Sequence, residues 1–191
     1  MRAIAIALVL VAAGSVQADP YVELGAGLLV PMSDNDYTDA VDPSIDLAAR
    51  IGGGDKVGGM ASIEWAPLSS NVSFVSFYRF RLLGHVVLHH AVSRKVELVG
   101  RFGAGIDYLH ASTEGTIAGI HFDDSDSDLG LALELAGGAW FDVGKTTQLG
   151  FELAIPIGYH SDDNRPSTAD NVNWDFTTVD IEIFGGVRLH L

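Results

Sequence analysis

The chain has 191 residues, with 11 Lys and Arg against 25 Asp and Glu, a net charge of −14 and no cysteine. This balance excludes a nucleic-acid binder, which needs clustered basic side chains to track phosphates. It also excludes a small extracellular fold stapled by disulfides. A mean hydropathy of +0.25 beside so much acid means that charged and apolar residues must be sorted in space.

Residues 1–18 read as a secretory signal peptide. Arg2 supplies a positive start, residues 3–13 an apolar stretch, and Val16-Gln17-Ala18 a small-residue cleavage site, with Asp19 as the first mature residue. The apolar stretch is too short to span a bilayer as a helix, and no later run reaches the roughly 18 apolar residues a spanning helix needs. Residues 19–191 are expected to form one domain.

From there the period is two, the signature of strands whose successive side chains point to opposite faces. Residues 21–30 set Val22, Leu24, Ala26, Leu28 and Val30 against Glu23, Gly25 and Gly27. Residues 45–52 set Ile45, Leu47, Ala49 and Ile51 against Asp46, Ala48, Arg50 and Gly52. In 57–66, Ala61, Ile63 and Trp65 oppose Met60, Ser62 and Glu64, and in 77–91, Tyr78, Phe80, Leu82, Val86 and Leu88 oppose Arg79, Arg81 and His85. Residues 96–109 place Val96, Leu98, Phe102, Ile106 and Tyr108 opposite Glu97, Arg101 and Asp107. Residues 129–141 alternate Leu129, Leu131, Leu133 and Leu135 with Gly130, Ala132, Glu134 and Ala136. In 148–160, Leu149, Phe151, Leu153, Ile155, Ile157 and Tyr159 alternate with Gln148, Glu152 and His160. The last segment, 177–191, sets Val179, Ile181, Ile183, Val187, Leu189 and Leu191 against Asp180, Glu182 and Arg188.

The connections alternate as well. Residues 53–56, 92–95 and 143–147 are short and turn-like, whereas 31–44, 67–76, 110–128 and 161–176 are long. Eight alternating segments with short turns at one end and long loops at the other predict an all-β fold, an eight-stranded antiparallel up-and-down transmembrane β-barrel.

A soluble lipocalin-like barrel in the periplasm would also have one apolar face, so the choice rests on the polar one. That face carries Gly25, Gly27, Gly52, Gly103, Gly105, Gly130, Gly138, Gly150, Gly158 and Gly186. Glycine weakens an exposed strand but suits the cramped interior of a narrow barrel. The apolar face of the segments holds no Asp, Glu, Lys or Arg, as hydrocarbon contact demands, since a basic side chain at the bilayer midplane costs about 2–4 kcal/mol. Trp65, Tyr78, Tyr108 and Tyr159 fall outward at the loop ends, half of an aromatic girdle. The charges Glu23, Asp46, Arg50, Glu64, Arg79, Arg81, Glu97, Arg101, Asp107, Glu134, Glu152, Asp180, Glu182 and Arg188 share the other face, as an interior ion-pair network or, if space remained, a narrow porin-like conducting path.

Signal peptide, eight alternating strands, acidic long connections and a final strand reaching Leu191 resemble the small OmpA/OmpX-like outer-membrane barrels. The resemblance spans the mature chain and is architectural. It implies a place in the outer membrane of a Gram-negative bacterium and insertion by the barrel-assembly machinery. It also implies contact with membrane lipid and lipopolysaccharide, and a monomer. Such barrels usually end in an aromatic residue, where this chain has Leu191; no peptidoglycan-binding domain is expected after it.

The residues offer two candidate chemistries. The acidic connections could hold Ca²⁺ loosely, with Asp124, Asp126 and Asp128 as candidate ligands, although Leu129 stands where an EF-hand loop needs Gly and Leu135 where it needs Glu. Some barrels of this size modify lipid A as deacylases or acyltransferases. His160-Ser161 followed by Asp162 and Asp163 invites that comparison, but adjacent strand residues point apart, and the deacylases carry His and Ser two apart. Pro156, within a strand and facing inward, implies a bulge or a weak seam. The expectation is a non-enzymatic envelope or surface protein with no firmly held cofactor. The exported form should begin at Asp19: its intact mass should lack residues 1–18, and a mass that includes them would contradict the cleavage site.

Overall fold

The structure, a computed structural model, describes residues 19–32, 41–70, 75–117, 120–160 and 176–191. Its strands are β1 (Tyr21–Pro31), β2 (Val41–Asp42), β3 (Ser44–Gly54), β4 (Val57–Ser70), β5 (Val75–Ser93), β6 (Val96–Ile117), β7 (Ile120–Asp142), β8 (Thr147–His160) and β9 (Phe176–His190). From β3 to β9 each strand lies antiparallel to the next, and β1 pairs with both β3 and β9, which closes an eight-stranded barrel. Closure leaves no free edge in the wall. No helix among the described residues is long and apolar enough to cross a membrane.

The two-residue β2 is a detached piece of β3 that pairs with the end of β4. Pro43, lacking an N–H, interrupts the ladder between them. The Ser44 hydroxyl spans the break, donating to the Asp42 carbonyl at 2.8 Å and accepting from the Ser69 N–H at 2.7 Å. At the opposite end the turns are tight. Gly54 has φ of 137°, a conformation that L side chains rarely adopt. There Leu191 is tied to Pro20, its N–H donating to the Pro20 carbonyl at 2.9 Å.

Period two becomes geometry directly. Leu24, Ile45, Ile63, Leu82, Phe102, Leu133, Leu153 and Ile183 stand exposed on the outer wall, whereas Glu23, Asp46, Glu64, Arg81, Arg101, Glu134, Glu152 and Glu182 are buried within. Two expectations fail. Residues 110–128 are not a loop: β6 and β7 continue as one hairpin to the pair Ile117–Ile120, beyond the reach of their neighbours, since β5 joins β6 at Thr113 and β8 joins β7 at Leu131. Residues 124–128 alternate Asp and Ser, polar on both faces, so no hydrophobic period marks that part of the strand. Of the other long connections, 67–76 shrinks to 71–74 because β4 reaches Ser70 and β5 starts at Val75. The acidic residues of 33–40 and 161–175 lie outside the described residues.

The second correction concerns Pro156. No residue is inserted there, so it is not a bulge: the β8–β9 register is the same at Ala154–Glu182 as at Ile157–Val179. The pairs expected between them are missing from the ladder, while β7 still pairs across Pro156 through Glu134. A proline that donates nothing thus leaves a short gap in one seam of the wall.

The interior is filled side chain by glycine. Tyr21 lies opposite Gly52, Trp140 opposite Gly150 and His85 opposite Gly103, and the Phe184 ring lies over Gly25. A Cβ on Gly150 would lie 2.3 Å from Trp140 Cδ2, and one on Gly25 2.3 Å from Phe184 Cζ. Each glycine is the space its partner occupies. Gly150→Val should therefore abolish the heat-modifiable, folded band on electrophoresis, whereas Gly100→Ala, whose added Cβ meets nothing within 4 Å, should fold as the parent does. A fully folded Gly150→Val protein would contradict this packing.

Candidate functional site

Inside the wall the charges form three connected layers. Near the tight turns, Arg188 reaches Glu23 and Glu97, both at 2.8 Å, and donates to Gln148 at 3.0 Å. Its guanidinium lies between two rings, 4.5 Å from the centre of Tyr21 and 4.3 Å from that of Trp140, a cation–π arrangement strengthened by exclusion of water. His89 Nδ1 lies 2.6 Å from Glu97 Oε1. His90, on the opposite face, is exposed; the adjacent histidines are split by the wall and do not form a joint site.

The middle layer is the most charged. Arg50 lies 3.0 Å from Glu152 and 3.5 Å from Glu23, with Phe184 3.9 Å beneath its guanidinium. Arg81 lies 2.9 Å from both Asp46 and Glu64, and 3.5 Å from Glu182. Arg101 lies 3.1 Å from Glu134 and 2.9 Å from Glu152. His85 meets the Ser62 hydroxyl through Nε2 at 2.9 Å.

Toward the long connections, Arg79 lies 2.6 Å from Asp107, bonds Asp180 closely and donates to Thr178 at 2.8 Å. His160 lies 3.5 Å from Asp107 and 3.0 Å from Asp128. The residues expected to form an interior network, from Glu23 through Arg188, are thus brought together across all eight walls. The Ca²⁺ candidates fare differently. Asp128 is engaged with His160, and the side chains of Asp124 and Asp126 lie outside the described residues; on a strand, this segment does not wrap a cation as a loop would. Ser161 is likewise outside the described residues, and the hydroxyl nearest Arg79, that of Thr178, is committed to Arg79 and to the Gly158 N–H at 3.1 Å.

Trp65, Tyr78 and Tyr159 are exposed at the loop ends of their strands and Tyr108 is half-buried on the same outer face. The Tyr78 and Tyr108 ring centres are 6.1 Å apart, and Tyr78 lies 4.7 Å from His110. Near the opposite rim, Phe141 and Phe151 stack at 6.2 Å.

Sequence reasoning missed the buried apolar cross-section. Tyr21, Met60, Val87, Val99, Trp140 and Phe184 pack together near the turns, and Leu29, Val41, Ala66, Leu68 and Leu109 pack near the opposite end. Below the first cluster a basin of about 720 Å³, lined by Lys56, His89, Arg94, Glu97, Arg188 and His190 among others, opens at the turn end. Arg188 is part of its lining, and the Tyr21 and Trp140 rings that sandwich Arg188 are buried. Side chains fill the barrel at that level, as the narrow interior of eight strands requires. The signal that could have revealed the plug is the glycine facing each aromatic.

No family model matches this chain, and no curated protein matches its sequence. Its fold has solved counterparts. Neisserial surface protein A (NspA) is 14% identical over 90% of this chain and 97% of its own, with a TM-score of 0.58. Ail, the attachment invasion locus protein of Yersinia pestis, is 16% identical over 91% of this chain and 100% of its own, with a TM-score of 0.51. Ail in complex with the heparin analogue sucrose octasulfate gives 16% and 0.52. The chain has the fold of the small eight-stranded outer-membrane barrels.

The layers carry a stability test. Replacing Arg79 by Met leaves Asp107 and Asp180 buried without their cation, which should cost about 3–5 kcal/mol. Arg94→Met, in an exposed turn, should change stability by no more than about 0.5 kcal/mol. Urea unfolding in lipid vesicles reads both; equal midpoints would show that Arg79 holds nothing together.

Proposed function

We propose that this chain is a non-enzymatic outer-membrane protein of a Gram-negative bacterium, exported through its signal peptide and inserted by the barrel-assembly machinery. Its role is that of a sealed, rigid barrel that supports the envelope and carries an acidic surface at the loop end. The observation that carries this is the inversion of the usual globular pattern. Leu24 is 57% exposed and Leu135 60%, whereas Glu134, on the next position along the wall, is 1% exposed. In water such an arrangement would leave a wide apolar band uncovered, far beyond the patches that soluble monomers tolerate. In a bilayer it is the stable one.

The plugged lumen supports a structural role over conduction. The projecting β6–β7 hairpin, with Asp123, Asp124, Asp126 and Asp128 along β7, supports a surface that repels polyanions and would meet cationic or neutral partners. NspA and Ail are surface and attachment proteins by name, and that description fits this reading without transferring their partners. A lipid A-modifying role would need a nucleophile beside His160, and the open seam at Pro156 is the one feature that favours it.

Three measurements on one preparation test the proposal. The protein should fractionate with the outer membrane and shift its electrophoretic mobility on boiling. It should pass no measurable ion current in a planar bilayer. Lipid A incubated with it should keep its mass. Recovery in the soluble periplasmic fraction would overturn the membrane assignment, and a changed lipid A mass would overturn the non-enzymatic one.

A further inference from the structure

The middle layer has more negative charge than its arginines balance. Asp46, Glu64, Glu134, Glu152 and Glu182 surround Arg50, Arg81 and Arg101; with Glu23 assigned to Arg188, its nearer partner, five carboxylates face three guanidiniums and leave two charges over when all are ionised. All eight side chains are buried, in a wall with hydrocarbon outside, where an uncompensated charge costs several kcal/mol. Two groups of ligand-type atoms converge here. Asp46, Glu182 and the Oε2 oxygen of Glu64 gather around the Arg81 guanidinium, which is already their cation, whereas Glu64 Oε1 has no hydrogen bond. The other group is Glu64, His85 and Glu134, whose nearest ligand atoms all lie within 4.8 Å of one another.

The second group is incomplete as it stands. His85 is 1% exposed, its Nε2 is taken by Ser62, and its Nδ1 has no hydrogen-bond partner. Nδ1 points toward Glu134 Oε1 at 3.9 Å, too far for a hydrogen bond. With the proton on Nε2, the Nδ1 lone pair faces carboxylate oxygens, an arrangement that a cation between them, or a proton held by one carboxyl, makes favourable. With the proton on Nδ1, the N–H is left unsatisfied in a water-poor interior. Neither oxygen of Glu64 or of Glu134 has an aligned hydrogen bond, despite the nearby guanidiniums. Space for the imidazole is reserved by Gly103, where a Cβ would lie 2.4 Å from Nδ1.

We propose that Glu64, His85 and Glu134 form an interior site for one divalent transition-metal ion of the zinc type. Imidazole nitrogen with two carboxylates suits zinc and its first-row neighbours, and is a poor set for Ca²⁺ or Mg²⁺, which take oxygen. The Ser62 hydroxyl fixes the ring through its second nitrogen, as partners of metal-bound histidines do. A +2 ion offsets the two surplus charges, and its position ties β4, β5 and β7 together across the lumen. The ion's role is structural, because the site is closed by side chains above and below.

The untagged mature barrel, folded in detergent with Zn²⁺ and freed of loose metal by desalting, is assayed by elemental analysis. About one Zn²⁺ per folded barrel is expected, with Ca²⁺ unable to compete at equal concentration. His85→Gln should bind ~10- to 100-fold more weakly, while His90→Ala, at an exposed site, should bind as the parent does. Absence of metal from the folded parent, or equal retention by His85→Gln, would overturn the site. If His85→Gln fails to fold by the heat-shift criterion, Cu²⁺-loaded parent protein decides. Nitrogen superhyperfine coupling from one imidazole in its electron paramagnetic resonance spectrum supports the site, and its absence overturns it.

Discussion

Everything in this barrel follows from where its ionised groups can go. On the proposed membrane reading the outer wall offers them nothing, since a bilayer core neither hydrates a charge nor completes a hydrogen bond. The interior can hold them only if each meets an opposite charge. Among the described residues, eight buried carboxylates and five buried guanidiniums therefore lie on the inner face of the wall, tied by ion pairs that reach across the lumen. Arg81 alone contacts residues from β3, β4, β7 and β9. The hydrogen-bonded wall closes the barrel, and this lattice braces it from within.

Bracing requires volume, and volume explains the glycines. An eight-stranded barrel has room for its inward side chains only if large and small ones alternate across facing strands. Arg79, Asp107 and Thr178 converge at Gly158, where an added Cβ would lie 2.3 Å from Asp107 Oδ2 and 2.9 Å from Arg79 Nη2. The same principle seats the aromatic plug. Trp140 Nε1 donates to Glu152 at 3.1 Å while its ring carries Arg188 on one side and fills the space of Gly150 on the other. A filled cross-section and a dense set of ion pairs are two outcomes of one packing solution.

The wall was legible in the sequence because an apolar outer face over a charged inner one imposes a strict period of two. Leu129, Leu131, Leu133 and Leu135 declare their strand, and Gly130 and Ala132 declare the inner face. Legibility stopped where the lipid does. The outer parts of β6 and β7 are strands without a hydrophobic period, held by their own pairing, so Asp124-Ser125-Asp126-Ser127-Asp128 read as a loop. It also stopped for the plug, because Tyr21, Trp140 and Phe184 are apolar residues on the polar face, identifiable only by pairing them with Gly52, Gly150 and Gly25. The layering of the ion pairs was hidden too. Arg79 and Asp180 are 101 residues apart in sequence, and only the register of the closed sheet brings them together.

The central claim is that the Leu and Ile face meets lipid while the charged face is enclosed, and two of the three tryptophans report on opposite sides of it. Trp65 is 43% exposed on the outer wall and Trp140 is fully buried inside. Single-tryptophan proteins retaining one or the other, with the remaining two changed to Phe, are inserted into vesicles containing brominated acyl chains. Bromine quenches on contact, so strong quenching of Trp65 fluorescence with Trp140 little affected is the predicted result. Quenching of Trp140 with Trp65 untouched would mean that the barrel is built the other way out.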